Sequence, residues 1–79
     1  MPDDELKLRM ADNFIYQYGR PALRRFLKLL ERGDSGEKIA REFGVSRERV
    51  RQWKNAFGQE VRVYDVHPEI RKAAGLKKR

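Results

Sequence analysis

Apolar residues recur at helical spacing along most of this chain, most clearly over residues 35–57, SGEKIAREFGVSRERVRQWKNAF. Ile39, Ala40 and Phe43 share one face. Gly44 interrupts the pattern, and Val50, Trp53 and Phe57 resume it at i, i+3 and i+7. The spacing predicts two short amphipathic helices joined by a tight turn. Gly44 suits the left-handed position that closes a helix, because it has no Cβ to clash there. Ser46 suits the N-cap of the second helix, where its hydroxyl can accept from a free N–H.

Ala40 is small where the two helices would cross. The set Ala40, Gly44, Val45, Val50 and Trp53 has the spacing of a helix-turn-helix. An ordinary αα-hairpin inside a bundle needs the same apolar positions, so the exposed face of the second helix has to discriminate. Advancing 100° per residue from Val50 puts Glu48, Arg51, Gln52 and Asn55 opposite the apolar stripe, with Arg47, Arg49 and Lys54 toward its flanks. A solvated structural helix usually mixes charge signs for i,i+4 support. Residues 47–55 carry four cations and a single acid. Arg matches guanine, Gln and Asn match adenine, and Glu can accept from the cytosine amino group, so this face suits the major groove of DNA.

Residues 45–52, Val-Ser-Arg-Glu-Arg-Val-Arg-Gln, resemble the recognition helix in the promoter-reading fourth region of housekeeping-type bacterial sigma factors. There the run is Val-Thr-Arg-Glu-Arg-Ile-Arg-Gln. The resemblance implies that Arg47, Glu48, Arg51 and Gln52 face base edges and nearby phosphates. It departs at Trp53, Lys54 and Asn55, where that family usually has Ile, Glu and a small residue. The chain is too short to carry the other sigma domains. Asn55 joins the base-reading candidates from its place on the helix. Ser46, Arg49 and Lys54, with Lys38 and Arg41 on the preceding helix, are the candidate phosphate contacts.

Upstream, Pro2 followed by Asp3, Asp4 and Glu5 predicts a helix start. Leu6, Met10 and Phe14, widened by Ile15, predict its buried stripe, ending by Tyr18 or Gly19. Tyr16 and Tyr18 are expected as half-buried residues at the core edge. Gly19 and Pro21 mark a break, after which Leu23, Phe26, Leu27 and Leu30 predict a helix over 21–32. Arg24, Arg25, Lys28 and Arg32 lie largely off its stripe; Arg24 and Arg25 could touch a DNA backbone or form a solvated basic face. Gly33 closes this helix, and Asp34 or Ser35 caps the next; Asp34 with Glu37 resembles a capping box.

Beyond Gly58 the pattern changes. Val61, Val63, Tyr64 and Val66 alternate loosely with polar residues, which predicts one extended segment with no second strand to pair it. It could pack along the helices, join a partner's sheet edge, or pair with its counterpart in another copy, giving a homodimer through 60–66. His67-Pro68-Glu69 resembles a helix start, with a turn or two over 68–74 before Gly75. His67 lacks any catalytic partner and reads as a cap or a solvated side chain. Leu76 and the terminal Lys77, Lys78 and Arg79 read as a basic tail. The expected fold is all-α: a small helix-turn-helix bundle of about four helices over 1–58, with the unit itself at 35–57. A short extended C-terminal segment, a short helix and the tail occupy 59–79, dimerising or flexible.

Seventy-nine residues make one small domain with little room for a pocket. The net charge is +7, and it is uneven: residues 1–46 hold 9 basic and 8 acidic side chains, residues 47–79 hold 10 and 4. Such a footprint is most often used to neutralise phosphates. There is no cysteine, which fits a reducing cytoplasm, and no apolar run long enough to span a membrane. No thiol, histidine pair, phosphate-binding glycine loop or metal-ligand spacing is present, so neither catalysis nor a cofactor or metal is expected. The function expected is a bacterial or phage transcriptional regulator bound to double-stranded DNA. The alternatives are a protein-interaction module, docking on RNA polymerase, a phage protein or an antitoxin-type partner, and the DNA-targeting subunit of a recombination or packaging machine.

Overall fold

Among the described residues, the apolar stripes fold into five helices and one short hairpin. The computed structural model describes residues 2–60 and 62–76, with side chains from residue 5 onward. The expected roles of the Asp3 and Asp4 carboxylates, of Val61 and of the Lys77-Lys78-Arg79 tail fall outside what is described. In chain order the elements are α1 (Pro2–Tyr18), α2 (Arg20–Arg32), α3 (Gly36–Phe43), α4 (Arg47–Phe57), β1 (Gly58–Glu60), β2 (Tyr64–Val66) and α5 (Pro68–Ala74).

Aromatic rings fill the centre. Phe14 of α1 lies 4.7 Å from Trp53 and 5.4 Å from Phe26, centroid to centroid, and Phe26 lies 5.4 Å from Trp53. Phe43, Phe57 and Tyr18 surround this triangle, most of them edge-on, the geometry that ring quadrupoles favour. Leu23, Leu27 and Leu30 of α2, Ile39 and Ala40 of α3, and Val50 of α4 complete the helical part of the core.

The buried face of α1 departs from the expected stripe. Leu6 is 56% exposed, while Ala11 and Phe14 are buried and Leu8, Met10 and Ile15 pack against the core from its edge. The reason is α5, whose Ile70 and Ala74 are buried beside α1 and turn its apolar side toward Leu8. Tyr16 is 91% exposed rather than half-buried, because it sits on the side of α1 away from Phe14. Tyr18 does sit at the core edge, with its ring against Phe14, Phe43 and Trp53. At the start of α3, Ser35 is the cap, accepting from the Lys38 N–H at 3.1 Å. Asp34 instead faces Lys38 at 3.4 Å and Arg32 at 3.7 Å, so the Asp34–Glu37 capping box does not form.

The expectation of a lone strand is overturned. β1 and β2 pair antiparallel, with Gly58 opposite Val66, Gln59 opposite Asp65 and Glu60 opposite Tyr64. β1 escaped the sequence pattern because its outward residues, Gln59 and Glu60, are polar and its inward one is a glycine. That glycine is required by the close approach of the strands. A Cβ at Gly58 would lie 2.2 Å from the Asp65 carbonyl oxygen and 2.9 Å from the Tyr64 ring. The pairing also removes the orphan strand from which contact between copies through 60–66 was inferred.

The hairpin and α5 close onto the helices. Tyr64, Val66, Ile70 and Ala74 belong to the same core. The Tyr64 hydroxyl donates to the Lys54 carbonyl at 2.6 Å, and the His67 N–H donates to the Phe57 carbonyl at 2.9 Å. Both carbonyls are among the last four of α4, which have no partner within the helix. Arg20 and Arg24 do the same for α5, donating to the carbonyls of Ala73 and Ala74 at 3.1 Å each. Arg71 of α5 meets Glu31 of α2 at 3.0 Å.

Phe14→Ala should cost about 3–5 kcal/mol, since it empties the middle of the ring cluster. The check is a lower denaturant midpoint in chemical unfolding. Tyr64→Phe should cost about 1 kcal/mol through the carbonyl left without its donor. Burial, helped by the negative charge of Glu31, drives the Tyr64 phenol above its ordinary value. The folded state therefore holds this proton after the unfolded chain has lost it. Stability contributed by Tyr64 is present below about pH 10 and lost as pH rises further. That alkaline loss should shrink in Tyr64→Phe.

Candidate nucleic-acid interface

α3 and α4 form around the expected turn. Gly44 takes φ 68° and ψ 34°, the left-handed conformation that an L side chain adopts only under strain. Both it and Val45 turn their N–H groups back to the Ala40 carbonyl. Ser46 then caps α4, its hydroxyl accepting from the Arg49 N–H at 3.1 Å. Gly36 passes close to α4: a Cβ built on it would stand 4.0 Å from a Val50 methyl. The two helices are thus locked together at the turn and at the crossing.

Val50, Trp53 and Phe57 are 1%, 4% and 0% exposed, with Ala56 buried beside them. Arg47, Glu48, Arg49, Arg51, Gln52 and Asn55 are exposed. Glu48 and Arg51 come together, with Gln52 exposed on the same helix. The Arg51 guanidinium donates two hydrogen bonds to the Glu48 carboxylate, at 3.0 and 2.6 Å. This fork holds the Glu48 carboxyl below its ordinary range and raises Arg51 above its own. Both groups remain open to water. Arg47 has no ion pair or hydrogen-bond partner among the described residues.

The flanking cations are placed differently. Arg49 lies over the Trp53 ring, 5.8 Å from its centroid, and that contact holds it along the first turn of α4. Lys54 is half-buried and drawn to the hairpin by Glu60 at 2.7 Å. On α3, Lys38 and Arg41 are exposed and face Asp34 and Glu37 one turn back, at 3.4 and 3.5 Å. Ser46 is exposed and engaged as the cap.

One neighbouring surface was not foreseen. Leu6, Lys7 and Met10 of α1 line an open groove of about 430 Å³ with Arg51, Gln52, Asn55 and Ala56 of α4. α1 thereby forms a wall beside the polar face of α4. Leu6 and Met10 carried the periodicity of core residues, and only the placement of α5 frees Leu6 to stand there. None of the described helices is long and apolar enough to cross a membrane.

No curated protein and no solved structure matches the chain. The family described as helix-turn-helix domain does match, over residues 16–65, from the end of α1 through α2, α3 and α4 to the hairpin. With well over half of its length in that match, the chain belongs to this family.

Proposed function

We propose that this chain binds double-stranded DNA with α4 in the major groove and acts in bacterial or phage transcription. One observation carries the reading. The helix after the turn buries Val50, Trp53 and Phe57 and leaves Arg47, Glu48, Arg51, Gln52 and Asn55 exposed together. An α-helix is about as wide as the major groove, and these side chains carry the donors and acceptors that base edges match. The resemblance of residues 45–52 to the promoter-reading sigma helix supports transcription as the setting.

The roles follow from position. Arg51 and Gln52 offer bidentate pairing to guanine and adenine, and Glu48 can accept from cytosine. Asn55 lies one turn further along the same face. Ser46, Arg49, Lys54, Lys38 and Arg41 would meet phosphates and set the register without reading sequence. In the free protein Glu48 occupies the Arg51 fork. An exposed pair of this kind contributes little to stability, so its exchange for base contacts has a small cost. The pair also penalises DNA that offers Arg51 no acceptor in return.

Gln52→Ala should lose about 1–3 kcal/mol of affinity on the preferred site and little on random duplex. Sites recovered by selection from a random library supply the preferred duplex. Equal losses on both would mean that Gln52 reads no base. With four or five phosphate contacts, raising salt from 50 to 200 mM should weaken binding by about 150- to 500-fold. A change under about threefold would point instead to a protein partner.

A further inference from the structure

Leu6 stands 56% open to water, while every other leucine is buried or half-buried. One exposed leucine is ordinary on a protein surface. Leu6 is not isolated. With Met10, one turn further along α1, it walls the open groove whose other side is Arg51, Gln52, Asn55 and Ala56 of α4. Lys7 borders the same groove, but its amine lies 3.4 Å from the His67 imidazole. The side chains that α1 adds beside the two amides, Gln52 and Asn55, are thus mainly apolar.

The core fixes this wall in place. Phe14, one turn beyond Met10, lies 4.7 Å from Trp53 on the buried side of α4. That contact sets the distance between the helices, and the groove opens where Leu6, Arg51, Gln52 and Asn55 are exposed. Leu6 and Met10 precede residue 16, where the helix-turn-helix match begins, so the wall lies outside the matched unit.

The chemistry of an A·T pair gives such a wall a use. Gln and Asn match adenine through N6 and N7. The same pair carries thymine O4 and the thymine 5-methyl group on the same edge of the major groove. An amide seated on adenine therefore has a methyl group close by. We propose that Leu6 and Met10 cover that methyl, so that α1 adds thymine selectivity to the base reading of α4. The proposal deepens the reading of α4 given above and rests on it. A phosphate oxygen gains nothing from this wall, because neither side chain can donate a hydrogen bond.

The test replaces each thymine of the selected duplex in turn by deoxyuridine, which removes the methyl and keeps the base pairing. Affinity is read by fluorescence anisotropy. At thymines within or next to the pairs on which Gln52→Ala or Asn55→Ala loses affinity, deoxyuridine should weaken binding about fourfold, the worth of one buried carbon. In Leu6→Ala, and equally in Leu6→Gln, that loss should fall below about twofold. Both variants should bind the deoxyuridine duplex as the unsubstituted chain does, which also confirms that they are folded. Deoxyuridine tolerated at every position would overturn the proposal. So would a selected site with no A·T pair where Gln52 or Asn55 reads. A deoxyuridine loss of the same size with and without Leu6 would assign the methyl to another side chain, and equally overturns it. If Leu6→Ala weakens binding alike on thymine and deoxyuridine, the leucine touches sugar instead, and the proposal falls. Should Gln52→Ala lose affinity only on the selected duplex while deoxyuridine changes nothing, the reading of α4 stands and this inference alone is lost. If neither Gln52→Ala nor Asn55→Ala separates the selected duplex from random sequence, both are lost.

Discussion

The placement of Trp53 between Phe14 and Phe26 is the contact on which the rest depends. Trp and Phe side chains bury roughly 150–250 Å² each, worth about 4–6 kcal/mol apiece at the usual transfer coefficient. A small domain has a total stability of about 5–15 kcal/mol. No combination of exposed ion pairs on α4 competes with that. Turning α4 by one residue, about 100°, would bring an arginine or a glutamine toward the rings. The rotation of the helix is thus set from inside, and its outward chemistry is what remains.

The two ends of α4 are held by unlike means. Ser46 caps the start from within the local sequence, and any chain with serine there could do so. The end has no left-handed glycine, since Gly58 is extended and already part of β1. Tyr64 and His67, from beyond the hairpin, satisfy the Lys54 and Phe57 carbonyls instead. Packing of the hairpin is therefore coupled to the last turn of α4. A rigid helix loses less conformational freedom when it docks, which favours affinity for the DNA we propose it binds.

Charge is arranged less simply than a count of cations suggests. Lys38, Arg41, Arg51 and Lys54 each face an acid, so the exposed surface of α3 and α4 is a set of exchangeable pairs. Arg24, read from the sequence as basic surface, donates with Arg20 to the carbonyls that end α5. Arg71 is engaged with Glu31. Among the described residues, Arg47 and Arg49 of α4 have no acidic partner, and neither do Arg9, Lys28, Arg62 and Lys72.

The central unit was legible in the sequence because its determinants are local. Helical spacing of Val50, Trp53 and Phe57, a glycine at the turn and a serine at the cap specify rotation, break and start within one stretch of chain. Those same signals placed Arg47, Glu48, Arg51, Gln52 and Asn55 outside. What escaped were features that need a distant neighbour. Leu6 looked like core and stands in an open groove, because α5 docks against Leu8 and shifts the buried side of α1. Gln59 and Glu60 have no strand pattern and form a strand, because Tyr64 and Val66 fold back across Gly58. The sequence by itself determined which face of α4 is dry. Only the tertiary structure decided what walls that helix, what caps its end and which arginines are left to meet a partner, since those depend on contacts made across tens of residues of chain.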